Sequence, residues 1–317
     1  MTAWPACDST VPQVLPNSYW LHRRIKQYRS PTTPPPAILT ETYPPGSGNT
    51  LSIDRDQLDV APVPATAFGD FNGNGWSDLI ARQTSTGLLY LYPGNGTRFG
   101  SLSRIGTGFN AMSAITRLGD FNRDGREDIV ARERSTGALW LYLGTGSGIP
   151  SRVKIGGSGW NGMREITAVG DLDRDGSADL LAIQASTGNL YLYPGRGGSL
   201  AARGLIGPGW NAYGELAGVG DFNRDGRVDL VARQSATGYL WLYPGSAGSF
   251  GARTRVGSGW NGMRDLVGVG DFDRDGFTDV IAVQTATGSL FRYPGRGASF
   301  GSAQHIGTGW AGMQPLL

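Results

Sequence analysis

Short apolar–aromatic runs recur along the chain, each bounded by Gly, Pro or Asp. They read LLYLY at 88–92, ALWLYL at 138–143, NLYLY at 189–193, YLWLY at 239–243 and SLFRY at 289–293. Each follows a second apolar run, DLIARQ, DIVARE, DLLAIQ, DLVARQ or DVIAVQ, across a small turn such as TSTG or SATG. Each is followed by a Gly/Ser-rich turn and a third run of the SRIG or TRVG type, then by WNGM or a close variant. An apolar segment ending in Gly-Asp, such as ELAGVGD, completes the unit. Runs this short with turn chemistry at both ends predict strands rather than helices.

The unit repeats. Its Gly-Asp pair falls at Asp70, Asp120, Asp171, Asp221 and Asp271, spaced by 50, 51, 50 and 50 residues. Four strands in about 50 residues is one propeller blade. The ends are complementary: the first repeat begins at ATAFGD without a preceding GWNGM, and the chain finishes on GTGWAGMQPLL without an acidic segment after it. A closed ring needs that arrangement, since an open array would leave two raw strand edges. The expectation is an all-β, five-bladed β-propeller of four-stranded blades over residues 61–317, with repeats near 61–110, 111–160, 161–210, 211–260 and 261–310 and closure by 311–317. Residues 1–60 differ: SPTTPPPAILTETYPPGSG reads as a Pro-rich, mostly extended N-terminal extension. SYWLHRRIKQYR allows two helical turns, and NTLSIDRDQLDV is the one hint of a degenerate sixth blade.

Composition narrows the function classes. Gly, at 51 of 317 residues, suits tight turns, and 28 Lys+Arg against 26 Asp+Glu leave a net charge of +2. The single cysteine, Cys7, excludes an internal disulfide framework. No apolar run approaches the length that spans a bilayer, so no membrane insertion is expected. The N-terminus lacks a basic segment followed by an apolar one and does not read as a signal peptide. The histidines are His22 and His305, and there is no Ser/His/Asp set, P-loop or zinc motif. Catalysis is not expected, nor is nucleic-acid binding, despite the arginines.

The acidic segments carry the clearest chemistry. They read DFNGNGWSD, DFNRDGRED, DLDRDGSAD, DFNRDGRVD and DFDRDGFTD, all of the form D-x-[DN]-x-[DN]-G-x-x-D. Ca²⁺ takes six to eight oxygen ligands at about 2.3–2.6 Å. Positions 1, 3, 5 and 9 would supply side-chain oxygens: Asp70, Asn72, Asn74 and Asp78; Asp120, Asn122, Asp124 and Asp128; Asp171, Asp173, Asp175 and Asp179; Asp221, Asn223, Asp225 and Asp229; Asp271, Asp273, Asp275 and Asp279. Position 7 would add a backbone carbonyl from Trp76, Arg126, Ser177, Arg227 or Phe277. Glycine at position 6 permits the sharp turn. The segment lacks the glutamate at position 12 and the flanking helices of an EF-hand. The alternative is five Asx-rich turns without an ion. The first loop has two carboxylates; the third and fifth have four each and are expected to bind most tightly. Five ions would move the net charge to about +12, leaving an Arg-dominated surface.

On these nonapeptides, with RFG at 98–100 and SFG at 249–251 and 299–301, the chain resembles the FG-GAP/VCBS-type repeat family, similar to the calcium-binding propeller of integrin alpha subunits. The resemblance covers residues 61–317 and implies a propeller with Ca²⁺ at its blade loops, an extracellular location and a binding role, often beside a secreted hydrolase. GSGWNGM is similar, over a few residues, to an element of five-bladed tachylectin-type lectins that bind N-acetylated sugars. A candidate sugar site per repeat follows: Phe109 and Asn110, Trp160 and Asn161, Trp210 and Asn211, Trp260 and Asn261, and Trp310. An indole can stack on a pyranose while an amide binds hydroxyls. The competing account is that each tryptophan only packs between blades. The expected partner is thus a glycan or cell-surface ligand, with a partner protein or an upstream catalytic domain as the alternative.

Overall fold

The computed structural model describes residues 69–317 and the backbone of one hairpin before them. The chain divides into two units, Met1–Ala61 and Pro62–Leu317. In the first, Leu39–Tyr43 pairs antiparallel with Asn49–Ile53. The first strand falls where the sequence reads as an extended linker, and the second opens NTLSIDRDQLDV. The two helical turns expected from SYWLHRRIKQYR lie outside the described residues, as does most of NTLSIDRDQLDV.

The second unit is a five-bladed propeller of four-stranded antiparallel sheets. Blades 2 to 5 are each continuous in sequence, with inner strands Met112–Gly119, Met163–Gly170, Tyr213–Gly220 and Met263–Gly270. Blade 1 takes Leu79–Gln83, Leu88–Tyr92 and Ser103–Gly106 from the first repeat and its inner strand, Met313–Leu316, from the end of the chain. Met313 pairs with Gln83 and Leu316 with Ala81, so the ring closes as the complementary ends require.

Burial follows the two-residue period of a strand. In the third strands, Leu89, Leu139, Leu190 and Leu240 are fully buried, while the aromatics that alternate with the leucines are mostly half-buried. The residue after each Gly-Asp, Phe71, Phe121, Leu172, Phe222 or Phe272, is 0–3 % exposed. Four of these phenylalanines lie where a Cβ added to a glycine of the next blade would touch the ring: Phe71 at Gly144, Phe121 at Gly195, Phe222 at Gly295 and Phe272 at Gly94. The acidic loops of blades 1, 2, 4 and 5 therefore plug their own blade into the next. Burying one such ring contributes roughly 1.5–3 kcal/mol.

Each inter-blade junction also carries one arginine on a short 3-10 turn. Arg82 donates to the carbonyls of Phe109 and Met112, and Arg132 to those of Trp160 and Met163. Arg233 donates to the carbonyl of Trp260. In the remaining two junctions the second strand has Ile183 and Val283 at this place, and the arginine has moved to the residue paired across from them. Arg164, opposite Ile183, serves the Trp210 and Tyr213 carbonyls; Arg264, opposite Val283, serves those of Trp310 and Met313. The turn carbonyls that no helix completes thus gain a charged donor whichever strand supplies it.

Candidate metal loops and the ring of tryptophans

The five acidic loops share one hydrogen-bond frame. The aspartate at position 9 is wholly buried in all five, as Asp78, Asp128, Asp179, Asp229 and Asp279. One oxygen accepts from the amide of Gly94, Gly144, Gly195, Gly245 or Gly295 at 2.9–3.0 Å, tying the loop to the turn after the third strand. In the first four loops its other oxygen accepts from the amide at position 3, at 3.0–3.3 Å. The glycines concerned admit no side chain: a Cβ on any of them would come within 1.9–2.2 Å of the carbonyl preceding the aspartate. Burial pushes Asp128, Asp179, Asp229 and Asp279 up to about 6, against the pull of those amides. A divalent cation is the partner that would favour their ionised form.

Position 1 caps the same turn. Asp70, Asp120, Asp171 and Asp221 each accept from the amides at positions 5 and 6. The side chains at positions 3 and 5, Asn72 with Asn74 and Asn223 with Asp225 among them, accept from amides two residues on. A carboxylate oxygen that accepts one amide keeps further lone-pair capacity for a cation. The donor set fits Ca²⁺ best in loops three and five. Oxygens of Asp171, Asp173 and Asp179, and of Asp271, Asp273 and Asp275, lie within 4.8 Å of one another, a span one such ion can bridge. In loop five, an oxygen of Asp271 and one of Asp273 are buried without a partner.

Loop five also differs from the rest. The third strands of the other blades carry Leu91, Leu141, Leu192 and Leu242 where blade 5 carries Arg292. This arginine is 5 % exposed and reaches Asp273 at 2.6 Å and Asp279 at 3.0 Å. It takes the oxygen of Asp279 that a loop amide occupies in the other four blades. Two of the four carboxylates are therefore already met by one internal cation, with which an ion in loop five would have to compete. Loop one has its own brace: Arg117, buried with Glu127 in an ion pair, donates to the carbonyls of Asp78 and Gly69.

Position 7 does more than offer a carbonyl. Arg274 of loop five lies 3.6 Å from the Trp76 ring centroid in loop one, Arg123 of loop two donates to Ser177 of loop three at 2.7 Å, and Arg224 of loop four sits 4.9 Å from Phe277 of loop five. Arg126 is exposed and Arg227 half-buried. Arg123, Arg224 and Arg274 reach across from position 4 with φ of 60–65°.

The sugar candidates fall differently. Trp160, Trp210, Trp260 and Trp310 are 6–9 % exposed, and Phe109 is 2 % exposed. Each ring packs against a tyrosine of the blade that follows: Phe109 on Tyr142, Trp160 on Tyr193, Trp210 on Tyr243, Trp260 on Tyr293 and Trp310 on Tyr92, with centroids 4.3–4.9 Å apart. Packing is where the structure places them, and it leaves no open indole face for a pyranose. Asn110, Asn161, Asn211 and Asn261 are exposed and lie against Gly87, Gly137, Gly188 and Gly238, whose φ of 66–72° needs glycine.

Sequence reasoning missed the central channel. A cavity of about 180 Å³ is lined by the inner strands of all five blades, including Glu165, Glu215 and Asp265. Glu215 pairs with Arg233 at 3.3 Å and Asp265 with Arg264. Burial, then the nearby charge of Glu215, pushes Glu165 up to about 7. An acid two residues after WNGM or WNAY, in three consecutive repeats, was the available signal.

The family match agrees with this frame. The FG-GAP-like repeat matches at residues 70–131, 120–182, 171–232 and 221–282. The chain belongs to the FG-GAP-like repeat family. Among solved structures, it is similar to part of the Tc holotoxin pore of Photorhabdus luminescens at 17 % identity and TM-score 0.42, over 76 % of this chain and 12 % of that one. It is also similar to the Dos1 propeller at 10 % identity and TM-score 0.32, over 76 % of this chain and 62 % of that one. No curated protein matches. Among the described residues, no helix is long and apolar enough to cross a membrane.

Proposed function

We propose that the propeller is a non-catalytic binding module, braced by Ca²⁺ in its acidic loops and working outside the cell. The observation that carries this reading is the wholly buried aspartate at position 9, repeated in five loops and flanked by oxygens that converge in loops three and five. An ionised carboxylate there is costly without a cation. Millimolar extracellular calcium suffices for loops of modest charge, as in other extracellular modules. The non-catalytic reading is supported by His305, which is exposed on an outer strand and packed edge-on against Phe291. The channel acids Glu215 and Asp265 are likewise tied to arginines.

Thermal melts with Ca²⁺, Mg²⁺ and chelator test the brace. One site at a hundredfold excess over its Kd stabilises by about 2.7 kcal/mol, and each kcal/mol moves the midpoint by about 2–4 °C at this size. Calcium is expected to raise Tm by at least about 5 °C, and magnesium by much less. A midpoint indifferent to chelator sinks the calcium reading.

A further inference from the structure

The charge of the propeller is segregated. Residues 93–109, 143–160, 194–210, 244–260 and 294–310, which form the outer turn and outer strand of each blade, contain nine Lys/Arg and no Asp or Glu. In blades 2, 3 and 4 the cations are built into a repeated device. Arg152 lies over Trp140 at 4.1 Å, Arg203 over Tyr191 at 4.0 Å and Arg253 over Trp241 at 4.2 Å. In each case one Nη1 donates to a tyrosine hydroxyl two residues beyond that aromatic: Tyr142 at 3.0 Å, Tyr193 at 3.1 Å and Tyr243 at 3.3 Å. Those tyrosines are the ones pinned under Phe109, Trp160 and Trp210. The plane and one corner of each guanidinium are thus fixed. Its Nε and Nη2 edge has no protein acceptor among the described residues, and all three arginines are exposed.

We propose that the outer edge of blades 2 to 4 binds a carboxylated polysaccharide, a chain with a uronic acid in each repeating unit, through these three guanidinium forks. A planar guanidinium with a free edge matches a carboxylate in bidentate fashion, and holding it flat beforehand lowers the entropy lost on binding. The aromatic faces are already covered by the arginines, so this edge offers no platform for stacking nucleobases, the usual means of holding single strands. Beside the forks stand Val153 and Leu205, 49 % and 60 % exposed, which suit the apolar faces of sugar rings. Blades 1 and 5 carry Leu102 and Ala303 in place of the arginine, which limits the site to one arc. The inference rests on the binding-module reading and is independent of the calcium.

The test is titration of the calcium-loaded full chain with a hyaluronan decasaccharide, which carries one carboxylate per disaccharide and stays soluble with calcium. Neutral dextran, dextran sulfate, single-stranded DNA and polyglutamate run alongside. Binding should weaken with salt and be absent for dextran. The triple variant R152Q/R203Q/R253Q should bind about 10- to 100-fold more weakly, taking each exposed fork as worth several-fold. The variant R152K/R203K/R253K, which keeps the charge but not the fork, should recover only part of that loss. No binding to the uronate chain, or binding unmoved by both variants, overturns the proposal. Tighter binding of the sulfated, nucleic or peptide polymer at equal charge overturns it in favour of that class. Calcium-dependent melting of the same samples reports separately on the metal loops, so the two readings can fail independently.

Discussion

Replacing Arg292 with leucine restores to blade 5 the residue found in the other four and strips loop five of its internal cation. The guanidinium stands 2.6 Å from Asp273 and 3.0 Å from Asp279, and Asp279 is wholly buried. At an effective dielectric near 20, each contact is worth roughly 5–6 kcal/mol of gross Coulomb attraction, most of it offset by desolvation. Removing one partner of a buried pair typically costs about 3–5 kcal/mol, because the other charge is left uncompensated. Without calcium, Arg292→Leu should therefore lower Tm by about 6–20 °C. With calcium, the vacated carboxylates gain a divalent partner, and most of that loss should return. The assay is differential scanning calorimetry of both proteins with chelator and with saturating calcium. The reasoning predicts a larger calcium-induced rise in the variant than in the parent. Equal rises would refute it, since Arg292 would then neither substitute for an ion nor compete with one.

Trp210→Ala should cost about 3–5 kcal/mol of stability, read from chemical denaturation, as a large buried ring leaves a cavity between blades 3 and 4. Arg132→Ile should destabilise the junction it serves, and adding Ser113→Arg should restore most of the loss, because Ser113 pairs with Arg132 as Arg164 pairs with Ile183. Additive costs in that cycle would show that the arginine cannot be exchanged between strands. Glu165 titrates near 4.5 when unfolded and about 7 when folded, so the folded state holds the extra proton between those values. Its contribution is full below about 4.5 and is lost as pH rises through about 7, at most about 3 kcal/mol. Glu165→Gln should flatten that fall relative to the parent when urea midpoints at pH 5 and pH 8 are compared. Gly245→Ala should unfold the protein or lower its midpoint steeply, as the new methyl meets the Val228 carbonyl at 2.1 Å.

The ring was legible because the repeat states it five times and because the chain ends complement each other. The nonapeptides were legible as one recurring turn for the same reason. What escaped was anything decided by a neighbour from another repeat. A tryptophan beside an asparagine reads as a sugar platform until Tyr243, thirty-three residues on from Trp210, closes over it. Arg292 was visible as the odd residue in SLFRYPG, and alternation alone turns it inward, since the leucines at its place are buried. Its consequence for loop five was not visible, because strand and loop meet only across the folded blade. The arginine that moves between strands looked like scatter in ARQ, ARE, AIQ, ARQ and AVQ. Only the cross-strand register shows it to be one conserved role with two addresses.

The closure of blade 1 also sets a timetable. Leu79–Gln83 leaves the ribosome some 230 residues before Met313–Leu316 does, and at about 5–20 residues per second that is roughly 10–50 s. Throughout synthesis one edge of that sheet stands open to any passing strand. Whatever protects the nascent chain has to protect that edge longest.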